Sequence, residues 1–324
     1  MNQIIYKMDL LVDSKETLSK NDIDTFILAA GSDYRAYESL RKMRSFGVQV
    51  KNLLIFHFNE RINYVDKEDS YFQYKEILDI PTKEITCTIK NPASCLSQVF
   101  ENSSLLQIKK NIALDISCFT KPYFFYLIKL LKGRFDIHEL NVFYTEPRSY
   151  LFPRGVYSYY QSSTGPLSIL EIPGFSGYER RGDKRILVIL LGFDADLSKE
   201  INEDISPKET IVVNSFPGYI PKFKDISLVV NEKLTTNKDI KLAYSRADNP
   251  FEVFNLLELI KSKYQNTFLN IAPLGTKPMA LGVCLFAMQY SDVRVIYPFP
   301  ESYKKITTNN CWNSWQYKIP LLFN

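Results

Sequence analysis

Short apolar runs alternate with helix-patterned segments along the whole chain. Runs such as TFILAA at Thr25–Ala30 and ILVILL at Ile186–Leu191 show no regular alternation of polar and apolar residues. Continuous runs of this length are typical of strands that are covered on both faces, as in parallel sheets. Because turns and helical patterns follow these runs, the sequence predicts an α/β fold built from Rossmann-like sheets.

The second half of the chain repeats the order of motifs found in the first half, about 155 residues later. Five pairs of segments match in the same order. The pairs are Gly31–Asp33 with Gly192–Asp194, Val50–Phe58 with Lys208–Phe216, Asn91-Pro92 with Asn249-Pro250, Thr120–Pro122 with Thr276–Pro278, and Tyr144–Tyr150 with Tyr297–Tyr303. A shared order of this kind predicts an internal duplication.

The duplication divides the chain into two tandem Rossmann-like halves. We predict an N-terminal half at residues 1–150 and a C-terminal half at residues 185–324, whose tail carries both tryptophans and packs on that half. Between them, residues 151–184 contain two strand-like runs on either side of Thr164-Gly165-Pro166. Glycine followed by proline is typical of a turn, so this segment is predicted to be a β-hairpin linker.

Composition and charge describe an ordinary globular protein. Of the 324 residues, 45% are hydrophobic and 23% are charged, which excludes a disordered chain. The net charge of +4 is compatible with an anionic ligand but does not indicate a surface that coats nucleic acid. No apolar stretch has the length of a signal peptide or a membrane span, so we predict a cytoplasmic protein without membrane contact.

Cysteine and histidine usage limits the chemistry further. The five cysteines lack C-x-x-C spacing and predict reduced thiols, with Cys118 and Cys284 in the core. The chain has two histidines, so histidine-rich metal sites and a Ser-His-Asp triad are disfavoured. We therefore expect neither a metal ion nor a cofactor.

The strongest candidate for a binding site is the turn within NIAPLGTKPMALG, Asn270–Gly282. Thr276 is placed to cap a helix that begins at Lys277, and Pro278 suits the first turn because its missing N–H would be unpaired there. The positive end of the helix attracts anions, Gly275 permits close approach to the backbone, and Lys277 adds a charge. The same residues also make a good helix start without a ligand, with Lys277 facing solvent.

A second glycine turn is predicted to emerge at the same edge of the C-terminal sheet. Gly192 and Asp194 follow a buried run, and open α/β sheets bind ligands at the carboxyl ends of their strands. Asp194 is placed either to contact a ribose hydroxyl or to cap the next helix. The chain contains no G-x-G-x-x-G or G-x-x-x-x-G-K-[ST] motif, which argues against ordinary dinucleotide or P-loop binding.

The N-terminal half carries counterparts of both turns. Its candidate ligand-binding residues are Gly31, Ser32, Asp33, Thr120 and Lys121. Phe119 stands where the C-terminal half has Gly275. The N-terminal copy of the site is therefore predicted to be degenerate.

The stretch Gly275-Thr276-Lys277-Pro278-Met279 resembles the ligand-loop motif Gly-Thr-Lys-x-Met of CRISPR-associated Rossmann-fold (CARF) sensor domains. The motif covers only a few residues, whereas the duplicated layout covers most of the chain and resembles the fused double form of these domains in prokaryotic antiviral systems. The resemblance implies a cyclic oligonucleotide ligand bound between the two halves. This chain departs from the pattern in its N-terminal half and has no evident nuclease or protease domain.

The sequence leaves three functions open, of which we favour the first. The first function is that of a nucleotide-sensing or regulatory protein, with an anionic nucleotide as ligand and an effector protein as a further partner. The resemblance implies that this function belongs to antiviral defence. The second is an enzyme that hydrolyses a nucleotide or phosphodiester, with a lysine and the candidate carboxylates Asp33, Glu146, Asp194 and Glu301. The third is a scaffold or partner subunit that binds no ligand.

Overall fold

The computed structural model describes residues 7–10, 22–30, 33–59, 79–89, 91–101, 111–134, 137, 139–150, 163–164, 168–299, 302–303 and 308–321. The chain divides into two compact units. The first unit combines Met1–Leu151 with Lys305–Asn324, and the second unit is Phe152–Lys304.

Strands and helices alternate along the first part of the chain, as the apolar pattern predicts. The strands described there are β1 (Lys7–Leu10), β2 (Thr25–Ala29), β3 (Leu53–Phe58), β4 (Thr82–Cys87), β5 (Ile112–Asp115) and β6 (Glu139–Tyr150). A short 3₁₀ helix at Tyr34–Ala36 follows β2. The α-helices described there are α1 (Glu38–Ser45), α2 (Pro92–Glu101) and α3 (Lys121–Arg134).

The remainder of the chain continues the alternation. Its described strands are β7 (Ser163–Thr164), β8 (Ser168–Glu171), β9 (Lys184–Leu190), β10 (Glu209–Ser215), β11 (Ile240–Ser245), β12 (Thr267–Pro273), β13 (Val293–Phe299), β14 (Ser302–Tyr303) and β15 (Thr308–Pro320). Its described helices are α4 (Ala195–Ile205), α5 (Pro221–Val230), α6 (Glu232–Thr235), α7 (Pro250–Lys263) and α8 (Lys277–Gln289). Within the described ranges, no helix has both the length and the apolar character needed to cross a bilayer.

The two sheets have the same parallel core. In the first unit, neighbouring strands follow the order β6-β5-β2-β3-β4, and each pair is parallel. In the second unit the order is β13-β12-β9-β10-β11, again parallel throughout. Counted among the parallel strands of each sheet, the first strand lies beside the fourth in both, which is the doubly wound arrangement. The predicted fold class of two tandem Rossmann-like halves is confirmed, and the shared order is the one that a duplication requires.

An antiparallel strand extends each parallel core beyond its fifth strand. In the first unit β15 pairs with β6, and β1 pairs in turn with β15. In the second unit β8 pairs with β13. The pairing is reciprocal: the segment that follows β6 in the chain pairs with β13, and the segment that follows β13 pairs with β6.

The C-terminal tail belongs to the first unit, which corrects the prediction that it packs on the C-terminal half. Its strand β15 runs along β6, with Trp315 opposite Tyr144 and Tyr317 opposite Val142. Tyr317 and Ile319 are fully buried. The physical reason is that β15 satisfies the backbone groups on an open side of the long strand β6, whereas β13 already has β8 as its antiparallel partner.

The segment predicted as a hairpin linker also differs in the structure. Among the described residues, β7 pairs with β14 and β8 pairs with β13, so β7 and β8 do not form a hairpin with each other. Residues 151–162 and 165–167 of this segment lie outside the described residues. Joining an existing sheet is more favourable for β8 than an isolated two-stranded hairpin, which is only marginally stable in water.

One cysteine pair departs from the predicted reduced thiols. Cys87, at the end of β4, forms a disulfide with Cys95 of α2, and their Cα atoms are 5.9 Å apart. The short β4–α2 connection brings the two residues within bonding distance. Cys118 and Cys284 are not part of a disulfide and are buried, as predicted.

Helices α7 and α8 pack closely because Gly282 lacks a side chain. A Cβ atom on Gly282 would lie 2.3 Å from the carbonyl oxygen of Pro250 and 2.8 Å from the Cβ of Val253. This contact fixes α8 beside the first turn of α7 and beside the loop that follows β11.

Candidate functional site

The loops that follow β9 and β12 emerge side by side at the carboxyl edge of the second sheet. β9 and β12 are adjacent and parallel, while the chain continues from β9 to β10 on one side and from β12 to β13 on the other. This reversal makes the β9–β12 edge the topological switch point, where open α/β sheets bind ligands. The structure thus brings together the two glycine turns, Gly192–Asp194 and Gly275–Lys277.

The two glycines allow the backbones of these turns to touch. A Cβ atom on Gly192 would lie 2.5 Å from the carbonyl oxygen of Leu274, so a side chain there would collide with the backbone of the other turn. A Cβ atom on Gly275 would lie 3.3 Å from the carbonyl oxygen of Leu191 and 3.1 Å from the Sδ of Met279. Both positions therefore need glycine, or a shift of the facing turn, to keep this arrangement.

Thr276 confirms the predicted helix cap and makes a second contact. Its hydroxyl accepts a hydrogen bond from the N–H of Met279 at 3.3 Å, and α8 begins at Lys277. The same hydroxyl donates to the carbonyl oxygen of Ala247, in the loop after β11, at 2.5 Å. Because the Thr276 hydroxyl is engaged twice, its part in the site is to hold the turn in place.

Backbone donors remain at the beginning of α8. Within the described part of the chain, the N–H groups of Gly275 and Thr276 donate no hydrogen bond, and both residues are half-buried. Pro278 has no N–H, and the N–H of Ala280 bonds within the helix to the Thr276 carbonyl at 2.9 Å. Lys277, also half-buried, places its charge at the same turn. The turn therefore combines donors with positive charge, which is the composition of an anion site.

The Gly192 turn is held by side chains of the α5–α6 region. The carbonyl oxygen of Gly192 accepts hydrogen bonds from the hydroxyl of Ser227 at 3.2 Å and from the side-chain amide of Asn231 at 3.0 Å. The ring of Phe193 packs edge-on against the ring of Phe223. These contacts hold the turn through the Gly192 carbonyl oxygen and the Phe193 ring.

Asp194 stands at the N-cap position of α4, but its side chain makes no capping hydrogen bond. The helix-cap alternative for this residue is therefore wrong in its usual form. The residue is half-buried at the switch point. Contact with a ligand hydroxyl, the other alternative, stays a prediction.

The corresponding turn of the first unit is closed by aromatic packing. Phe119 is completely buried, with its ring centroid 5.4 Å from that of Phe56 and 6.3 Å from that of Phe58. The helix α3 begins at Lys121, as predicted, but the buried hydroxyl of Thr120 has no hydrogen-bond partner and does not cap it. The phenol of Tyr123 donates instead to the carbonyl oxygen of Thr88 and ties the turn to the loop after β4.

Asp33 of the first glycine turn is occupied by an ion pair. It caps the 3₁₀ helix by accepting the N–H of Arg35 at 3.0 Å, and its carboxylate binds the Arg35 guanidinium at 2.6 Å. Burial alone lowers the pKa of Arg35, but the charge and hydrogen bonds of Asp33 outweigh it and raise that pKa well above its usual range. Gly31 and Ser32, the other predicted residues of this turn, lie outside the described residues.

A buried polar network in the first unit was not predicted from the sequence. Ser39 donates to one carboxylate oxygen of Asp115, and the other oxygen accepts the N–H of Ser117 at 2.6 Å. The Ser117 hydroxyl accepts the N–H of Thr145 at 2.8 Å, and the hydroxyls of Thr145 and Ser314 are 2.8 Å apart. The available signal was Asp115 itself, an acidic residue directly after an apolar strand segment. The network joins α1, β5, β6 and β15 with polar contacts that are already paired.

The carboxylates considered for catalysis are partly engaged elsewhere. Glu146 is buried in the first unit and accepts a hydrogen bond from Nε1 of Trp315 at 2.6 Å. Asp33 is held by Arg35, and Glu301 lies outside the described residues. In the ranges that the structure describes, no group of three or more His, Cys, Asp or Glu residues is placed to hold a metal ion.

Comparison with known proteins identifies no family for this chain. No family model and no curated protein matches it. Similar solved structures include the cytoplasmic domain of a prokaryotic cation chloride cotransporter, with 9% identity and a TM-score of 0.27 over 88% of this chain and 98% of the other. A putative universal stress protein from Pseudomonas aeruginosa UCBPP-PA14 has 12% identity and a TM-score of 0.25, over 85% of this chain and 94% of the other. A universal stress protein from Archaeoglobus fulgidus DSM 4304 has 12% identity and a TM-score of 0.23, over 86% of this chain and 97% of the other. At these TM-scores the likeness carries no inference about function.

Proposed function

We propose that the protein binds an anionic nucleotide at the β9–β12 edge of its second unit and acts as a nucleotide-sensing or regulatory protein. The observation that carries the proposal is the meeting of two glycine turns, Gly192–Asp194 and Gly275–Lys277, at the switch point of an open parallel sheet. Glycine in each turn lets the two backbones approach each other at the edge where open α/β sheets bind ligands.

The chemistry of the Gly275 turn favours an anion over a neutral ligand. Two backbone N–H groups there have no acceptor within the described residues, and they lie at the positive end of a 13-residue helix. Lys277 adds a full charge. Donors without acceptors and a positive local potential together suit a phosphate group.

A nucleotide uses more of this edge than inorganic phosphate does. Asp194 is half-buried and follows directly after Gly192 and Phe193 at this edge. A carboxylate is an acceptor for the hydroxyl groups of ribose. The proposed ligand therefore places a phosphate at the Gly275 turn and a ribose at Asp194.

The resemblance of Gly275–Met279 to the CARF ligand loop extends the proposal to cyclic oligonucleotides. Such a ligand carries several phosphates and several bases, and its binding is expected to change the activity of an effector protein in antiviral defence. Because this extension depends on a short motif, the test of it is whether the protein binds cyclic oligonucleotides.

Calorimetric titration with nucleoside triphosphates and with cyclic and linear oligoadenylates tests the proposal. The wild type is expected to bind at least one of them, and Lys277→Ala is expected to weaken that binding about tenfold or more, since a charge-assisted hydrogen bond contributes about 1.5–3 kcal/mol. Lys199→Ala, which removes an exposed lysine of α4, is the matched control and should leave the affinity unchanged. No binding by the wild type, or equal affinities for the wild type and Lys277→Ala, would contradict the proposal.

A further inference from the structure

Two large aromatic side chains are exposed together at the carboxyl edge of the second sheet. Phe216 directly follows β10 and is 56% exposed, and Tyr244 near the end of β11 is 47% exposed. Their rings pack edge-to-face with centroids 6.1 Å apart. Neighbouring aromatic rings that stay this open to solvent are a common mark of a binding surface.

The backbone holds both rings on one face of the sheet. Tyr244 is paired with Asn214 in the β10–β11 ladder, and Phe216 lies two residues beyond Asn214, on the same side. The N–H of Phe216 donates to the carbonyl oxygen of Ser245 at 2.7 Å, which fixes the residue even though it lies beyond the end of β10. The backbone of Phe216 is therefore held beside the end of β11, where its ring contacts that of Tyr244.

Helix α5 connects this ring pair to the Gly192 turn. Its residue Phe223 packs against Phe193, and its Ser227 binds the carbonyl oxygen of Gly192. The next residue after Phe223, Lys224, holds its ammonium group over the Phe216 ring, 5.3 Å from the centroid. β10 is the direct neighbour of β9 and β11 lies beyond it, so the two rings lie at the same edge of the sheet, one and two strands from the Gly192 turn.

We propose that Phe216 and Tyr244 form a stacking platform for the base of the nucleotide, an inference that rests on the proposed function. A nucleobase stacks on aromatic rings through its π face. The ammonium group of Lys224 borders the Phe216 ring and is paired with the carboxylate of Asp225 at 3.2 Å. Stacking of this kind is tolerant of base identity because it reads no hydrogen-bonding edge. The platform therefore favours ligands with any base over inorganic polyphosphate.

Comparison of ligands with and without a base tests this platform. ATP, cyclic triadenylate and cyclic tetraadenylate would be titrated against the wild type beside inorganic tripolyphosphate. We expect Phe216→Ala and Tyr244→Ala each to weaken the best base-containing ligand about 5- to 100-fold, and to leave tripolyphosphate binding unchanged. Leu259→Ala, which truncates an exposed apolar side chain of α7, is the control and should change neither.

A tryptophan variant gives a second readout that does not depend on truncation. Phe216→Trp keeps an aromatic surface and should retain the affinity, with its fluorescence quenched by the base-containing ligand and not by tripolyphosphate. If Phe216→Ala binds that ligand as tightly as the wild type does, the platform is overturned while the phosphate site stands. If the wild type binds tripolyphosphate as tightly as every base-containing ligand, the platform is likewise overturned. If the wild type binds none of the four ligands, both proposals fail.

Discussion

The two Thr-Lys-Pro turns occupy the same place in sheets of the same strand order, yet their surroundings differ. Thr276 uses its hydroxyl for two hydrogen bonds, whereas the hydroxyl of Thr120 is buried without a partner. Gly275 lets its turn pack closely against the backbone at Leu191, whereas Phe119 fills the equivalent position with a buried ring. The comparison indicates that Thr-Lys-Pro sets where the helix begins, while the residue before it sets what packs against the turn.

Both units also tie this turn to the loop after their third parallel strand, but with different side chains. In the second unit Thr276 bonds the carbonyl oxygen of Ala247, and in the first unit Tyr123 bonds that of Thr88. The longer tyrosine brings its aromatic ring into the core beside Phe58, with centroids 4.7 Å apart. The tether is thus kept in the first unit by a residue that also fills space.

The largest expected effect is the loss of the aromatic filling in the first unit. Phe119→Ala removes a completely buried ring and should lower the free energy of unfolding of that unit by about 3–5 kcal/mol. Urea unfolding followed by tryptophan fluorescence measures it, because both tryptophans belong to this unit. A loss below about 1 kcal/mol would mean that the ring is not the packing element that distinguishes the two turns.

The next effect separates the two lysines. Lys121→Ala should leave nucleotide affinity nearly unchanged, whereas Lys277→Ala should weaken it about tenfold or more, because the buried ring of Phe119 closes the first turn and the second turn has Gly275 at that position. Titration of the two variants with the same ligand measures the difference. Equal losses would show that both turns contact the ligand and that the first copy of the site is not degenerate.

A pair of isosteric threonine substitutions should change stability by different amounts. Thr276→Val removes the cap and one of two hydrogen bonds that the Ala247 carbonyl accepts, the other coming from the Tyr219 hydroxyl at 3.0 Å, and should cost about 1–2 kcal/mol. Thr120→Val replaces a buried hydroxyl that has no partner and should be neutral, or stabilising by about 1 kcal/mol. Thermal melts followed by circular dichroism would detect the difference, and a cost for Thr120→Val equal to that of Thr276→Val would contradict it.

The smallest expected change in stability concerns Asp194. Because its side chain makes no capping hydrogen bond, Asp194→Asn should cost less than about 1 kcal/mol, the usual size of a helix-dipole contribution. Asn249→Ala, which removes a cap that accepts two N–H groups of α7, is the positive control and should cost about 1 kcal/mol. If Asp194→Asn keeps both the stability and the nucleotide affinity of the wild type, the proposed ribose contact is wrong.

Local chemistry explains which parts of the fold could be predicted from the sequence. The Asn-Pro pairs mark helix starts because asparagine accepts N–H groups of the first turn, as Asn91 does from Ser94 and Asn249 does from Phe251. The continuous apolar runs indicate strands buried on both faces, and the repeated order indicates equal sheets. Each of these signals lies within a few neighbouring residues.

The parts that could not be predicted depend on distant partners. Nothing within the β15 segment shows that Trp315 and Tyr317 pair with β6 instead of a strand of the nearer unit. In the same way, Asp115 is recognisable as a buried acid only once Ser39 is known to approach it. Asp194 illustrates a third limit of prediction from sequence. Aspartate is a common N-cap residue and Asp194 stands at the N-cap position of α4, yet its side chain makes no capping hydrogen bond.

The pairing of β15 with β6 makes the first unit depend on a segment that is synthesised after the strands of the second unit. On the ribosome, residues up to Leu151 emerge long before Thr308–Pro320, and until then one side of the 12-residue strand β6 is unpaired. The described strands of the second unit all lie within Phe152–Lys304, so its sheet is complete earlier in translation. The N-terminal unit is therefore finished second, and a nascent chain that stalls before β15 presents a long strand edge to chaperones or to other unfolded chains.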